Sequence, residues 1–174
     1  MNLLKKYFLP TSYVENIKAI TPERLKNMGV NTVMTDLDNT LVAFDEPDAD
    51  NEVVEWFSNL KENGINVMIL SNGKSGRVGT FCEPNGFQYI CSARKPLSKN
   101  FRRAVKEMNA DIENTVMVGD QLMTDIFGAN RVNMKSILVI PVKDKDGLAT
   151  ILNRRMERMI MRYFNKRGLL SKED

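Results

Sequence analysis

The strongest constraint on this chain is an alternation of short apolar runs with longer stretches of helical spacing. Val30–Thr35, Val67–Leu70, Phe87–Ile90, Thr115–Val118 and Ser136–Ile140 are strand-like runs. Between them, Asp50–Glu62 places Val53, Val54, Phe57 and Leu60 on one helical face, and Gly64 closes it. Arg77–Glu83 predicts a helix that ends before Pro84. Ser98–Met108 predicts another, with Phe101, Ala104, Val105 and Met108 on one side, and a short helix is expected over Thr124–Ala129. Strands that alternate with helices fold as βαβ units around a parallel sheet. The expected fold is therefore α/β and Rossmann-like: three layers around a mainly parallel sheet of five strands. Such sheets bind ligands beyond the carboxyl ends of their strands.

Polar residues fall at those ends. Asp36 and Asp38 follow the first run, Ser71-Asn72-Gly73 the second, and Gly119-Asp120 the fourth. Alternation along the strand turns Leu37 one way and both aspartates the other. Taken singly, each of these residues is an ordinary turn or cap, and Lys95 a solvated charge. Asp45, Glu46, Asp48 and Asp50 are read that way, as loop and cap residues. Their convergence on one rim is what suggests chemistry.

Composition narrows that chemistry. The 174 residues contain no histidine, which removes imidazole bases, serine–histidine nucleophiles and histidine-held metals. Neither cysteine begins a phosphate loop closed by arginine, because Gln88 lies six positions after Cys82 and Leu97 six after Cys91. Two cysteines make no disulfide framework and are read as free packing thiols. Met117, Met123 and Met134 are read as core fillers. Catalysis must then rest on carboxylates, hydroxyls, lysine, arginine or an oxygen-held metal.

The order DLDNTL, LSNG, ARKP, GDQLMTD resembles the four motifs of the haloacid dehalogenase-like (HAD) phosphatases, and GDQLMTDIFGAN further resembles their class IIIA, YqeG-type group. The resemblance implies a hydrolase of phosphoric monoesters. Asp36 would be the nucleophile that forms an aspartyl-phosphate, and Asp38 the general acid and then base. Ser71 and the backbone near Asn72 would hold a phosphoryl oxygen, and Lys95 would screen its charge. Thr40 would anchor the turn after the aspartates. Mg²⁺ is the implied cofactor, held by the Asp36 carboxylate, the Asp38 carbonyl and Asp120, with Asp125 binding directly or through water. The first and fourth core strands would be neighbours.

Relatives often insert a cap domain after the first motif or between the second and third. Here Asp38 to Ser71 is 33 positions and Ser71 to Lys95 is 24, so no substantial cap fits and an open site is expected. The chain is read as one HAD-like domain over 1–174, with a core of about 30–142 and a basic amphipathic helix at about 147–166. Leu148–Leu170 carries six bases and one acid, Glu157. Leu148, Ile151, Leu152, Met156, Met159, Ile160 and Tyr163 form an apolar stripe on that helix, and Arg154, Arg155, Arg158 and Arg162 line much of the rest. The stripe either packs on the sheet with the arginines as its wet face, or lies on an anionic membrane. Nucleic acid is disfavoured, because no aromatics interleave with the bases.

The expected partner is a phosphorylated substrate. The YqeG-type group is similar to mitochondrial phosphatidylglycerophosphate phosphatases, which points to a lipid head group. Phosphoprotein, sugar phosphate or nucleotide phosphatase, and a HAD-fold scaffold docking on membrane or ribosome, stay open. No apolar run approaches the roughly 20 residues that cross a bilayer. MNLLKKYFLPTSYV lacks a signal-peptide core, so a cytoplasmic location is expected, peripheral to the membrane in the lipid reading. Oligomeric state is open.

Overall fold

A computed structural model describes residues 2–143 and 148–173, without the side chains of 148–154. The elements run α1 (Leu3–Phe8), β1 (Ser12–Val14), α2 (Pro22–Asn27), β2 (Thr32–Thr35), α3 (Asn51–Glu62), β3 (Asn66–Leu70), α4 (Ser75–Cys82), β4 (Gln88–Ile90), α5 (Ser98–Glu107), β5 (Thr115–Gly119), α6 (Phe127–Arg131), β6 (Lys135–Val139) and α7 (Leu148–Lys166). The sheet has six strands in the order β1-β6-β5-β2-β3-β4, and every pairing is parallel. Five of these strands are the expected ones. The sixth, β1, is three residues at the end of the sheet; it pairs with β6, and on its other side Val14 makes an isolated parallel bridge to Glu173. A run that short carries no period, so the five-strand expectation is corrected to six.

Strand alternation builds two cores. On one side, Val33, Ile69, Val116, Val118, Ile137 and Val139 meet Val53, Trp56, Phe57 and Leu60 of α3 and Val78 and Phe81 of α4. On the other, Met34, Met68, Leu70 and Met117 meet Phe101, Ala104 and Val105 of α5 and Ala129 of α6. Each large side chain so buried contributes about 1.5–3 kcal/mol. Met117 and Met134 are core residues as expected, whereas Met123 is only partly buried. Asp50 caps α3 by accepting from Val53 N at 2.8 Å.

The expected helix over Thr124–Ala129 is two pieces: a π-helical stretch, Leu122–Ile126, that runs into α6. α7 packs against that stretch. Ile160 and Met161, with Phe8 of α1, lie against a small cluster of Leu122, Ile126 and Leu138. Phe164 is fully buried, but Met156 and Met159 are exposed. The expected stripe is therefore split, and its members Leu148, Ile151 and Leu152, with Arg154, lie outside the described side chains. Glu157 turns inward and accepts from Met123 N at 3.2 Å. The rotation that buries Phe164 and packs Ile160 and Met161 also turns Glu157 in and leaves the two methionines outward. Among the described residues, no helix is long and apolar enough to cross a membrane.

No inserted domain separates the motifs. Only α3 stands between β2 and β3, and only α4 with one short 3₁₀ turn stands between β3 and β4.

Candidate active site

Parallel register brings the motif residues together. Thr35 of β2 pairs with Ile69 of β3 and Val118 of β5. Asp36 is one step beyond its strand, and Ser71 and Asp120 are two steps beyond Ile69 and Val118, so all three emerge at adjacent tips. Leu37 is fully buried in the core, which leaves Asp36 and Asp38 on the rim. The Asp36 carboxylate accepts from Leu37 N at 2.8 Å. A tight turn follows, in which Asn39 takes φ 62° and donates to Val42 O at 2.7 Å. Asparagine tolerates that left-handed conformation better than most residues. Thr40 Oγ1 donates to Asp120 Oδ1 at 3.1 Å, so the turn is tied directly to the neighbouring strand tip.

Lys95 lies at the centre. Its Nζ is 2.9 Å from Asp36 Oδ1 and 2.7 Å from Asp125 Oδ1, and its side chain is 1% exposed. Burial works against its charge, and the carboxylates of Asp125 and Asp36 more than offset that, raising its pKa. The loop that carries it is held from the second motif. Asn72 Oδ1 accepts from Lys95 N at 2.7 Å, and Asn72 Nδ2 donates to Lys95 O at 3.2 Å. Ser92 N and Ala93 N donate to the carbonyls of Gly73 and Ser71. Ser92 and Arg94 both take left-handed φ, 48° and 51°, a strain typical of sites where geometry is over-determined. The Asn72 side chain is thus a brace for Lys95, and Ser71 Oγ accepts from Gly73 N at 3.0 Å.

Asp125 reaches the cluster because Gly119 has no side chain. A Cβ at Gly119 would stand 2.3 Å from the Asp125 carboxyl carbon. Gln121 N donates to Asp125 Oδ2 at 3.1 Å, which holds the carboxylate toward the strand tips. Burial pushes the Asp125 pKa up, against the pull of Lys95. Carboxylate oxygens of Asp36, Asp120 and Asp125 all lie within 4.8 Å of one another, and all three residues are buried. Three carboxylates and the Lys95 ammonium leave two negative charges. Hard oxygen donors with that deficit match a small dication such as Mg²⁺.

Asp38 sits apart from this group, facing Arg77 of α4. Arg77 Nη2 is 3.1 Å from Asp38 Oδ1. Burial pushes the Asp38 pKa up, and the Arg77 guanidinium works against that shift. Arg77 Nη1 also donates to Pro47 O at 3.2 Å. One side chain therefore spans the candidate acid and the loop after β2. Arg77 escaped the sequence reading, since an arginine inside a helix has no motif. Replacing it, Arg77→Ala, should lower kcat with an alkyl phosphate by about a hundredfold through misplacement of Asp38. The loss should be smaller with an activated aryl phosphate, whose leaving group needs no proton. Equal losses on both substrates would refute this role. Cys82 is buried and its thiol is pushed up to about 12 by burial, so it is an inert packing residue.

Comparison with known proteins bears on the family and the fold. Residues 6–133 match a family model described as haloacid dehalogenase-like hydrolase. The chain is 47% identical over 172 residues to the probable phosphatase YqeG of Bacillus subtilis (strain 168), covering 99% of this chain and 100% of that one. Among solved structures, an uncharacterized protein from Listeria monocytogenes serotype 4b superposes with a TM-score of 0.55 at 21% identity, covering 68% of this chain and 85% of that chain. The cobalt-bound deoxy-D-mannose-octulosonate 8-phosphate phosphatase of Haemophilus influenzae gives 0.51 at 16% identity, covering 79% and 90%. Those two likenesses bear on the fold alone. The family model and the near-full-length relative decide membership: this chain belongs to the haloacid dehalogenase-like hydrolases, among their phosphatases.

Proposed function

We propose that residues 1–174 form one Mg²⁺-dependent phosphomonoester phosphatase that works through an aspartyl-phosphate. The observation that carries this reading is the buried cluster of Asp36, Asp120 and Asp125, two of them paired with the Lys95 ammonium, at the carboxyl edge of a parallel sheet. Asp36 is the nucleophile: its carboxylate oxygen bonds to phosphorus as the ester P–O bond breaks. Asp38 gives its proton to the departing alcohol oxygen. It then takes a proton from the water that attacks phosphorus and restores Asp36. A carboxylate nucleophile needs no base to activate it, which suits a chain without histidine. Ser71 and the backbone at Asn72 hold a phosphoryl oxygen, and Lys95 balances the charge on it.

Asp36, the Asp38 carbonyl, Asp120 and Asp125 would hold the dication, with Asp125 in contact or acting through water. When bound, Mg²⁺ supplies charge neutralisation and an anchor for phosphate oxygen.

The leading substrate is phosphatidylglycerophosphate. The short segments between β2, β3 and β4 support an open site, and an open site suits a bulky lipid head group. A panel of phosphatidylglycerophosphate, a phosphopeptide, sugar phosphates and nucleotides tests it, with phosphate release as the readout. The lipid should be the fastest, and activity should vanish in excess EDTA and return with Mg²⁺. Faster release from any soluble phosphate rejects the lipid, and undiminished activity in EDTA rejects the metal.

A further inference from the structure

The outward side of α7 is unusual for a helix packed on a folded core. Arg155, Arg158, Arg162, Lys166 and Arg167 are all exposed, and Met156 (42%) and Met159 (65%) are exposed among them. The one acid of this stretch, Glu157, is turned inward onto Met123 N. Among its described residues, that side thus presents cations and thioethers with no carboxylate. α1 has the same make-up: Leu3 (67%) and Leu4 (37%) are exposed beside exposed Lys5 and Lys6. The two helices adjoin. Asn2 Nδ2 donates to Tyr163 OH, and Phe8, Ile160 and Met161 share one apolar cluster.

We propose that the outward faces of α1 and α7 form one docking surface for an anionic lipid bilayer. Each part of the surface has its counterpart there. The lysine and arginine head groups meet the negative lipid heads, and Leu3, Leu4, Met156 and Met159 enter the apolar layer just below them. Long basic side chains extend around buried apolar neighbours to keep their charge in water. A nucleic-acid surface would use cations but leave four apolar side chains wet. It would also call for open aromatic faces, and here Tyr7 and Tyr163 are only half exposed, each beneath a cation. None of these residues belongs to the candidate active site, so docking stands independently of the catalytic reading.

Sedimentation of the full chain with vesicles tests the surface. Phosphatidylcholine vesicles with one part in three phosphatidylglycerol should bind it, and pure phosphatidylcholine should bind it weakly. Binding should fall as salt rises, since screening shortens the reach of the charges. Each cation at such a surface is worth about fivefold in partitioning. Arg158→Glu with Arg162→Glu should therefore weaken binding by at least about 25-fold. Met156→Ser with Met159→Ser should weaken it and leave the salt dependence in place. Hydrolysis of a soluble aryl phosphate should not change in either variant, and Asp36→Asn protein should bind vesicles as the parent does. Salt-insensitive or absent binding to the anionic vesicles would overturn the proposal. So would parent-like binding by the doubly reversed variant, or tighter binding to a single-stranded RNA oligomer than to the vesicles.

Discussion

Asp36→Asn should lower turnover of an aryl phosphate by about five orders of magnitude and leave the metal-free protein at least as stable as its parent. Both halves follow from the same oxygen atoms. Asparagine keeps the shape of the side chain and its acceptor toward Lys95 and Leu37 N, but its amide is no nucleophile toward phosphorus. The stability half is electrostatic. Three buried carboxylates cluster together, and a single ammonium, that of Lys95, pairs with two of them, Asp36 and Asp125. Removing one negative charge relieves repulsion at a site built for a bound cation, by about 1 kcal/mol. For a chain of this length, that raises Tm by roughly 2–4 °C. Turnover and thermal unfolding in EDTA check the two halves separately, and parent-like turnover would eliminate Asp36 as nucleophile.

Lys95→Met moves the same balance the other way. The Lys95 side chain is buried between Asp36 and Asp125 at 2.9 and 2.7 Å. Methionine fills similar volume and leaves three carboxylates facing one another. Breaking a buried ion pair from one side costs about 3–5 kcal/mol, and Tm in EDTA should fall by roughly 6–20 °C. Excess Mg²⁺ should recover part of the loss, because it binds the folded site and not the unfolded chain. Turnover should stay depressed by about 10²–10³-fold even in saturating metal, since a donor aimed at the phosphoryl charge is gone. The opposed signs of the two variants make the charge count testable. Equal stability of the Lys95→Met protein and its parent in EDTA would show that the count is wrong.

Much of this site was legible because its parts follow strands. Asp36, Ser71 and Asp120 could be placed on one rim once the apolar runs were recognised, and parallel register does the rest. Lys95 and Asp125 were legible only through the motif order. Nothing local distinguishes Lys95 from the chain's other basic residues, and Asp125 lies inside a helical stretch. Arg77 was not legible at all, because its role depends on how α4 meets the loop at Pro47. The π-helical stretch was missed for a similar reason. Its Asp125 packs where a Cβ at Gly119 would stand, and no spacing of residue types announces that fit. α2 was passed over although Thr21-Pro22-Glu23 is a helix start, with Thr21 Oγ1 accepting from Arg24 N at 3.2 Å. Six residues are too few for periodicity to register. On α7 the helical period was legible, but the split of its described apolar residues was not: Ile160, Met161 and Phe164 turn inward while Met156 and Met159 stay exposed.

The strand order also sets a sequence of events for the folding chain. β2, β3, β4 and β5 lie side by side and come from a continuous stretch, 32–119. Their contacts close loops of moderate length. Ser12 of β1 pairs with Ile137 of β6, which is 137 − 12 = 125 positions away. That pairing closes the longest loop in the sheet and repays its entropy last. The centre of the sheet, with its ring of carboxylates, can assemble while the first strand is still free. Docking of the amino-terminal segment on β6 is then expected to follow the centre, with the bridge from Val14 to Glu173 closing over it.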